Sequence, residues 1–185
     1  MTALDERRTT ADSRSRRGAT IWLTGLPSAG KTTLATALAA RLQDDRVELL
    51  DGDEVREFLS KGLGFSREDR DTNVLRIGWV AATLAKHGAL VLASVISPYA
   101  ETRAQVAALH ADKGAEFLEV HVATPVEVCT GRDVKGLYAK QKAGELTGLT
   151  GVDDPYEPPL SPEVVVPTHT QSLDESVELV WRALS

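Results

Sequence analysis

Residues 19–33 read ATIWLTGLPSAGKTT, an apolar run that leads directly into a complete G-x-x-x-x-G-K-T pattern. The run 19–24 predicts a buried strand, and the alanine- and leucine-rich stretch 31–43 predicts the helix that follows the loop. Glycines in such a loop let several backbone N–H groups surround a phosphate at the positive end of the helix dipole. This stretch therefore predicts an α/β fold that binds a nucleoside triphosphate.

The phosphate loop, residues 25–33, also contains side chains suited to nucleotide chemistry. Lys31 is expected to contact the β- and γ-phosphates, and the Thr32 hydroxyl is expected to bind Mg²⁺. The predicted nucleotide contacts in this loop are Gly25, Leu26, Pro27, Ser28, Ala29, Gly30, Lys31, Thr32 and Thr33. The alternative is a glycine-rich turn without a ligand, and the lysine, the hydroxyl and both flanking elements argue against it.

The length and charge of the chain limit the classes of function. Its 185 residues suit one domain with a sizeable core, and its formal net charge of −6 argues against a general nucleic-acid binder. No apolar run approaches the ~20 residues that span a bilayer, so no membrane partner is expected. Cys129 is the only cysteine, which rules out an internal disulfide and fits a reducing, cytoplasmic location.

Residues 1–17 differ in composition from the rest of the chain. They contain five arginines and three acidic residues, and they have no apolar core. Because they lack the hydrophobic region of a secretory signal, they predict a disordered polar tail. Residues 18–185 are then expected to form a single domain.

Apolar runs alternate with helical stretches through residues 18–185. The predicted strands are 19–24, 47–50, 89–96, 117–123 and 163–166. The predicted helices lie near 31–43, 53–60, 67–87, 100–113, 125–132 and 172–184. With the phosphate loop, this alternation predicts the three-layer P-loop NTPase fold, a mostly parallel five-stranded sheet with helices on both faces. Residues 133–162 are rich in Gly, Lys, Asp and Pro and predict a functional lid.

Two carboxylates follow the second predicted strand. Asp51 and Asp53 should lie beside the phosphate loop, because ligands bind outside the carboxyl ends of parallel strands. Either one can hold Mg²⁺ or accept the proton of an attacking hydroxyl, and Asp53 can also cap the next helix. The third predicted strand lacks the terminal aspartate of a Walker B element, which favours small-molecule kinases over motor ATPases.

A cluster of basic, amide and aromatic residues surrounds the start of the third predicted helix. Arg70, Asn73 and Arg76 share a helix face, and Arg56 and Phe65 precede them in the chain. This set suits an acceptor that carries anionic groups and a ring. The alternative is a solvated helix surface whose arginines pair with neighbouring carboxylates.

Five parts of the chain together resemble the adenylylsulfate kinase (APS kinase) family. They are residues 25–33, 51–56, 63–78, 96–99, and 132–138 with 150–157, in the family's order. The resemblance implies transfer of the γ-phosphoryl group of ATP to the 3′-hydroxyl of adenosine 5′-phosphosulfate (APS), with Mg²⁺, by a homodimer. The alternatives are a kinase for another small hydroxyl acceptor and a nucleotide-binding regulatory paralogue without turnover.

The resemblance also implies roles for individual residues. The implied catalytic residues are Lys31, Asp53, Ser97 and Lys135, with Thr32 and Asp53 at the metal and Arg132 near the ATP. The residues implied to contact APS are Asp53, Arg56, Phe65, Arg70, Asn73, Ile96, Ser97, Lys135 and Leu149. Phe65 would stack on one face of the acceptor adenine, and Leu149 replaces the usual aromatic on the other face. Ser97 would either form a phosphoserine or simply hydrogen-bond the acceptor.

Overall fold

The computed structural model describes residues 18–43 and 46–184. The tail predicted over residues 1–17 lies outside the described residues. Within the described part of the chain, five parallel strands form one sheet in the order β2-β3-β1-β4-β5. The strands are β1 Ala19–Thr24, β2 Val47–Asp51, β3 Leu90–Ser94, β4 Glu116–Val122 and β5 Val164–Val166. This confirms the predicted strands and the fold class.

Helices occupy the connections between these strands and follow the last one. In the described ranges they are α1 Lys31–Leu42, α2 Gly52–Phe58, α3 Arg67–Lys86, α4 Ala100–Lys113, α5 Val126–Arg132, α6 Leu137–Lys142 and α7 Leu173–Ala183. Side-chain caps fix three of the starts: Asp51 caps α2, Ser66 accepts a hydrogen bond from Asp69 N before α3, and Ser172 forms a capping box with Glu175 before α7. The sequence did not predict α6, a six-residue helix inside the expected lid.

The sheet separates two apolar layers, which explains the continuous apolar run of β1. Ile21 and Leu23 pack on one side with α1 and α7, whereas Trp22 packs on the other side with α3 and α4. The helices α3 and α4 approach closely at Gly78, where an added Cβ atom would lie 2.6 Å from Val106 Cγ2. Helices therefore cover both faces of the sheet, as the sequence predicted.

The parallel strands place their carboxyl ends at one edge of the sheet. The phosphate loop follows β1, residues 51–53 follow or end β2, residues 95–99 follow β3, and Thr124 follows β4. Ligands of open parallel sheets bind at this edge, so the connections that contain candidate functional residues converge there. Among the helices that the structure describes, none has the length and apolarity required to cross a membrane.

Candidate active site

A cavity of about 750 Å³ lies at the carboxyl edge of the sheet, within the size range of small-molecule sites. It brings together most of the site residues predicted from the sequence, namely Pro27, Ser28, Gly30, Lys31, Thr32, Thr33, Asp53, Arg56, Phe65, Arg70, Asn73, Ile96, Ser97, Arg132 and Lys135. The predicted residues that do not line it are Gly25, Leu26, Ala29 and Leu149. Segments that are far apart in the chain thus share one cavity.

Lys31 is folded back onto the start of the phosphate loop. Its Nζ donates hydrogen bonds to the carbonyl oxygens of Gly25, at 2.9 Å, and Leu26, at 2.8 Å. Burial lowers the pKa of the Lys31 ammonium from its ordinary value to about 8. The loop also contains left-handed backbone at Ser28 and Gly30, with φ of 61° and 107°. The cation predicted for phosphate binding is therefore buried and held by backbone oxygens.

The Thr32 hydroxyl lies next to Asp51 rather than Asp53. It donates to Asp51 Oδ2 at 2.7 Å and lies 3.1 Å from Ser94 Oγ. The other Asp51 oxygen accepts the backbone N–H of Asp53 at 3.0 Å, which makes Asp51 the N-cap of α2. The expectation that Asp53 caps this helix is thus corrected, because the chain turns into α2 one residue before Asp53. Sequence reasoning missed Ser94, the third oxygen at this position.

Asp53 forms an ion pair with Lys135. Asp53 belongs to the first turn of α2, whereas Lys135 lies in the short connection between α5 and α6. More than half of each side chain is exposed, so the pair is screened by water and can be exchanged for other contacts at little cost. The structure thus brings together two residues to which the family resemblance gives catalytic roles.

A polar cluster behind the phosphate loop holds the carbonyl group of Ala29. Its oxygen lies within hydrogen-bond distance of Thr124 Oγ1 at 2.9 Å, Thr168 Oγ1 at 2.8 Å and Arg132 Nη1 at 3.0 Å. Arg132 also donates to the backbone carbonyl of Thr168 at 2.9 Å. These bonds fix Arg132 in the cavity wall. Sequence reasoning identified Arg132 but missed both threonines, which belong to no recognised motif.

The Phe65 ring lies beside two guanidinium groups at the cavity wall. The Cζ atoms of Arg56 and Arg70 lie 4.4 Å and 5.7 Å from its centroid. Arg56 donates to the Gly64 carbonyl, and burial, with the Arg70 charge as a second cause, lowers the pKa of Arg56. Phe65 is 63% exposed, so its ring is available to a ligand. An exposed ring beside two cations suits a flat, anionic molecule.

Arg70 and Asn73 are buried on the face of α3 that meets the lid segment, residues 133–162. Arg70 donates to the carbonyl oxygens of Phe65, at 2.9 Å, and Gly148, at 2.6 Å, and to Thr150 Oγ1 at 2.8 Å. Asn73 Oδ1 is buried and has no hydrogen-bond partner among the described residues. An unpaired buried acceptor is costly, so a donor group on a ligand would stabilise this arrangement.

Ser97 is buried in a strained loop after β3. Its φ is 40°, in the left-handed region that residues with a Cβ atom rarely adopt. Ser97 is 1% exposed, and its Oγ accepts a hydrogen bond from Trp22 Nε1 at 3.0 Å. The preceding carbonyl, of Ile96, accepts from Thr24 Oγ1 at 2.7 Å. Sequence reasoning missed Trp22 because it occupies an ordinary core position in β1.

Leu149 does not reach the cavity, which corrects its expected place opposite Phe65. It is 5% exposed and packs in the same apolar cluster as Tyr138. The physical reason lies in the following turn, where the Asp153 carboxylate accepts the backbone N–H groups of Gly148 at 2.9 Å and Leu149 at 2.6 Å. This turn directs the Leu149 side chain into the core.

The profile of a sequence family described as adenylylsulphate kinase matches residues 17–167. The chain belongs to the adenylylsulfate kinase family. The adenylyl-sulfate kinase of Chloroflexus aurantiacus is 58% identical over 172 residues, which cover 92% of this chain and 90% of that protein. These similarities confirm the family that the sequence resemblance predicted.

Solved structures of other APS kinases are similar to this chain in fold. The APS kinase of Mycobacterium tuberculosis, in complex with AMPPNP and APS, matches with a TM-score of 0.86 and 44% identity, over 91% of this chain and 98% of that chain. The hexameric APS kinase of Thiobacillus denitrificans matches with a TM-score of 0.69 and 36% identity, over 97% of this chain and 31% of that chain. The fold is thus that of an APS kinase.

Proposed function

We propose that this protein transfers the γ-phosphoryl group of ATP to the 3′-hydroxyl of APS, giving 3′-phosphoadenosine 5′-phosphosulfate and ADP. One observation carries the proposal: a single cavity joins the phosphate loop to Phe65, Arg70 and Asn73, which suit a second, anionic nucleotide. The related enzyme from Mycobacterium tuberculosis was solved with AMPPNP and APS together, which supports the same pair of substrates here.

Lys31 is proposed to neutralise the phosphates of the donor nucleotide. Its ammonium lies within the loop on two neutral carbonyl oxygens, for which charged phosphate oxygens are stronger partners. A bound phosphate raises the Lys31 pKa from its lowered value of about 8, so the complex keeps a full positive charge. Phosphoryl transfer depends mainly on such positioning and charge. Arg132, held against Ala29 and Thr168, is proposed to contact the base or phosphates of ATP.

The residues at the Thr32 hydroxyl fit a Mg²⁺ ion bound mainly by phosphate and water. The described residues contain no group of three or more His, Cys, Asp or Glu side chains that could hold a metal alone. In contrast, oxygens of Thr32, Asp51 and Ser94 lie together. We therefore propose Thr32 as the protein ligand and Asp51 as its nearest carboxylate, rather than Asp53. When bound, Mg²⁺ supplies positive charge to the β- and γ-phosphates.

Asp53 is proposed to orient the 3′-hydroxyl of APS and to accept its proton. Because Asp51 caps α2, the Asp53 carboxylate is not needed for the helix, and among the described residues its side chain pairs with the exposed Lys135 ammonium. We propose that Lys135 moves from Asp53 to the transferring phosphoryl group. This movement frees the carboxylate for the hydroxyl and adds a cation where negative charge develops.

The acceptor is proposed to bind along α2 and α3. Its adenine would stack on the exposed Phe65 ring, and its phosphosulfate would pair with Arg56 and Arg70. Arg70 donates three of its five N–H groups to protein oxygens, and its Nε also lies 3.3 Å from the Asp154 carboxylate. One N–H group on each of Nη1 and Nη2 remains for the acceptor. Asn73 Oδ1, buried without a partner among the described residues, would accept a hydrogen bond from the acceptor.

Ile96 and Ser97 are proposed to contact the acceptor from the loop after β3. The Ser97 hydroxyl is buried and already accepts the Trp22 indole N–H. A nucleophile must reach the γ-phosphorus in line with the leaving oxygen, and a buried hydroxyl would first have to leave this arrangement. We therefore propose that Ser97 hydrogen-bonds the acceptor and does not become a phosphoserine during turnover.

We also propose that the enzyme is a cytoplasmic homodimer. The family resemblance implies the dimer, and the hexameric relative from Thiobacillus denitrificans supports self-association within the family. Cys129, the only cysteine, is buried with a free thiol, which suits a reducing compartment. Light scattering tests the dimer, since the expected native mass is twice the 19.9 kDa of the chain.

The experiment that tests the reaction measures ADP release from ATP and Mg²⁺ with APS present or omitted. We expect rapid release that requires APS and that is lost in Lys31→Ala, with folding checked by circular dichroism. Equal or faster turnover with sugars or other nucleosides would point to a kinase for another acceptor. A folded, ATP-binding protein that releases no ADP with any acceptor would be a regulatory paralogue. Either result contradicts the proposal.

A further inference from the structure

One buried cation, Arg103 in α4, lies outside the cavity wall and has none of the roles proposed above. It is 3% exposed, and it forms three hydrogen bonds from three different nitrogen atoms. Nε donates to Glu119 Oε1 at 2.7 Å, Nη1 to the Ser97 carbonyl at 2.8 Å, and Nη2 to the Glu157 carbonyl at 2.8 Å. A planar guanidinium can hold three such partners in fixed directions, which an ammonium cannot.

The ion pair with Glu119 compensates the buried charge of Arg103, but it does not explain why a charged side chain occupies this position. Removing two charges from water offsets much of the gain from their attraction, so a buried pair is weak evidence for stability. The two carbonyl bonds are charge-assisted and therefore stronger than neutral ones. They join Ser97, in the loop after β3, to Glu157, which lies sixty positions later in the chain.

At the first end, Arg103 holds the strained residue Ser97. A positive φ at a residue with a side chain is energetically unfavourable and persists only where the surroundings enforce it. Three donors do so here: Arg103 on the Ser97 carbonyl, Trp22 on the Ser97 hydroxyl, and Thr24 on the Ile96 carbonyl. Ile96 and Ser97 both line the cavity, so these bonds set the shape of its wall.

At the second end, Arg103 holds Glu157, near the end of the lid segment. Glu157 is attached to the β3–α4 loop, residues 95–99, and to the start of α4 by further bonds. Its backbone N–H donates to the Pro98 carbonyl at 2.8 Å, and its carboxylate accepts the backbone N–H of Ala100 at 2.7 Å. The lid segment also supplies Gly148 and Thr150 to Arg70. These bonds at Glu157 thus fix the lid segment, which also contacts Arg70 at the proposed acceptor site.

We propose that Arg103 is a positioning residue for the acceptor, which holds the β3–α4 loop and the lid segment at Glu157 in one arrangement. The inference rests on the proposed function, because it concerns the site assigned to APS. None of the three Arg103 bonds reaches the phosphate loop or Arg132. Loss of these bonds should therefore weaken binding of the acceptor and leave binding of ATP nearly unchanged.

The kinetic test compares Arg103→Lys with Glu119→Gln. The lysine keeps the charge and can pair with Glu119, but it cannot reach both carbonyl groups at once. We expect the KM for APS to rise about tenfold in Arg103→Lys, as for the loss of one charge-assisted hydrogen bond, with the KM for ATP within twofold. Glu119→Gln removes the ion pair and keeps the carbonyl bonds, so it should lower Tm with the KM for APS within twofold.

A second test needs no substrate and therefore separates this inference from the proposed function. Trypsin cleaves after Lys140 and Lys142 in the lid segment, and Arg103→Lys leaves the number of trypsin sites unchanged. We expect cleavage in the lid to be several-fold faster in Arg103→Lys than in the native protein or in Glu119→Gln. If the native protein does not use APS, the proposed function fails, and this measurement still decides whether Arg103 holds the lid.

A third variant applies if Arg103→Lys does not fold. Glu157→Ala removes the carboxylate that accepts the Ala100 N–H and leaves Arg103 paired with Glu119. We expect a rise of about threefold to fivefold in the KM for APS, the scale of one lost helix cap, with unchanged KM for ATP. Unchanged APS kinetics in the folded variants, equal shifts for ATP and APS, or lid cleavage at the native rate in Arg103→Lys would overturn the proposal.

Discussion

The two walls of the cavity are built in different ways. The donor wall consists of the phosphate loop with Arg132 and Thr168, and its main part is one continuous stretch whose shape follows from backbone geometry. The acceptor wall consists of Asp53, Arg56, Phe65, Arg70, Asn73, Ile96 and Ser97. Its parts come from two connections, β2–β3 and β3–β4, and are held by side chains that bridge long distances in the sequence, such as Arg70 to Thr150. The donor wall is thus a local structure, and the acceptor wall is a tertiary one.

This difference has a consequence for substitutions. A change in the donor wall should affect every reaction that uses ATP, because the loop binds the group that is transferred. A change in the acceptor wall should affect the binding and reaction of the acceptor but not the binding of ATP, because none of the residues in this wall is proposed to contact ATP. Kinetics that separate ATP from APS can therefore test whether the two walls are independent.

The largest expected effect belongs to Lys31→Ala. It removes the buried cation of the phosphate loop, and we expect kcat/KM to fall at least ~100-fold and up to ~1,000-fold, as for loss of other groups that stabilise developing charge. Tm should not fall, because the variant also removes a buried, desolvated charge. Coupled ADP release measures the rate. Near-native turnover would mean that the donor wall does not depend on its lysine.

The next largest expected effect distinguishes the roles of the Asp51 and Asp53 carboxylates. Asp53→Asn should lower kcat about 100-fold even at saturating Mg²⁺, because it removes a proton acceptor and keeps the size of the side chain. Asp51→Asn keeps the cap of α2, since asparagine caps as well as aspartate. It should mainly raise the Mg²⁺ concentration required for half-maximal rate.

A Mg²⁺ titration of both variants provides the comparison. If Asp51→Asn lowers the rate more at saturating Mg²⁺, then the base is Asp51 and the assignment of Asp53 fails. If Asp53→Asn is rescued by added Mg²⁺, Asp53 is the metal carboxylate that the family resemblance implied.

A third effect concerns the exposed aromatic of the acceptor wall. Phe65→Ala removes the ring beside Arg56 and Arg70 and should raise the KM for APS about tenfold, the scale of one stacked base. Phe58→Ala is the matched control, because Phe58 is 79% exposed and does not line the cavity. An equal rise in the KM for ATP would show that the two walls are not independent.

The fold and the donor wall could be predicted from the sequence, because their signals are local. Strand β1 and helix α4 have the predicted bounds. The main omission is α6, which is only six residues long and begins after Gly136 with φ of 67°. A helix of fewer than two turns among glycines and lysines has too few apolar positions to produce a periodic pattern.

The residues of the acceptor wall could be predicted from the sequence, but the residues that hold them in place could not. The cluster from Arg56 to Asn73 was found because its members lie close together in the chain. Trp22, Ser94 and Arg103 were missed because each lies in an ordinary strand or helix pattern and acts through one long-range contact. The resemblance also misled at Leu149, because the turn closed by Asp153 is not visible in residue type alone.

Leu149→Phe tests that correction by stability instead of kinetics. Since Leu149 is 5% exposed, a larger side chain should overpack the core and reduce the free energy of unfolding by about 1–3 kcal/mol, with the KM for APS within twofold. Leu160→Phe is the control in the same segment, because Leu160 is 97% exposed. A lower KM for APS at unchanged Tm would instead put Leu149 opposite the acceptor base.

The smallest expected effect is the dependence of ATP binding on pH, and it belongs to the donor wall alone. Burial lowers the pKa of Lys31 to about 8, so in the free protein this side chain is mostly charged at pH 7, about half charged at pH 8 and mostly neutral at pH 9. Bound phosphate restores the proton, because an opposite charge raises the pKa of an ammonium. ATP binding should therefore take up protons increasingly from pH 7 upward, and its affinity should fall about twofold from pH 7 to pH 8. Calorimetry in buffers of different ionisation enthalpy measures this uptake, with Lys31→Arg as the control, because a guanidinium stays charged throughout. Equal proton uptake in the native protein and in Lys31→Arg would mean that a group other than Lys31 binds the protons. If the two walls are independent, APS binding should show no such dependence on pH.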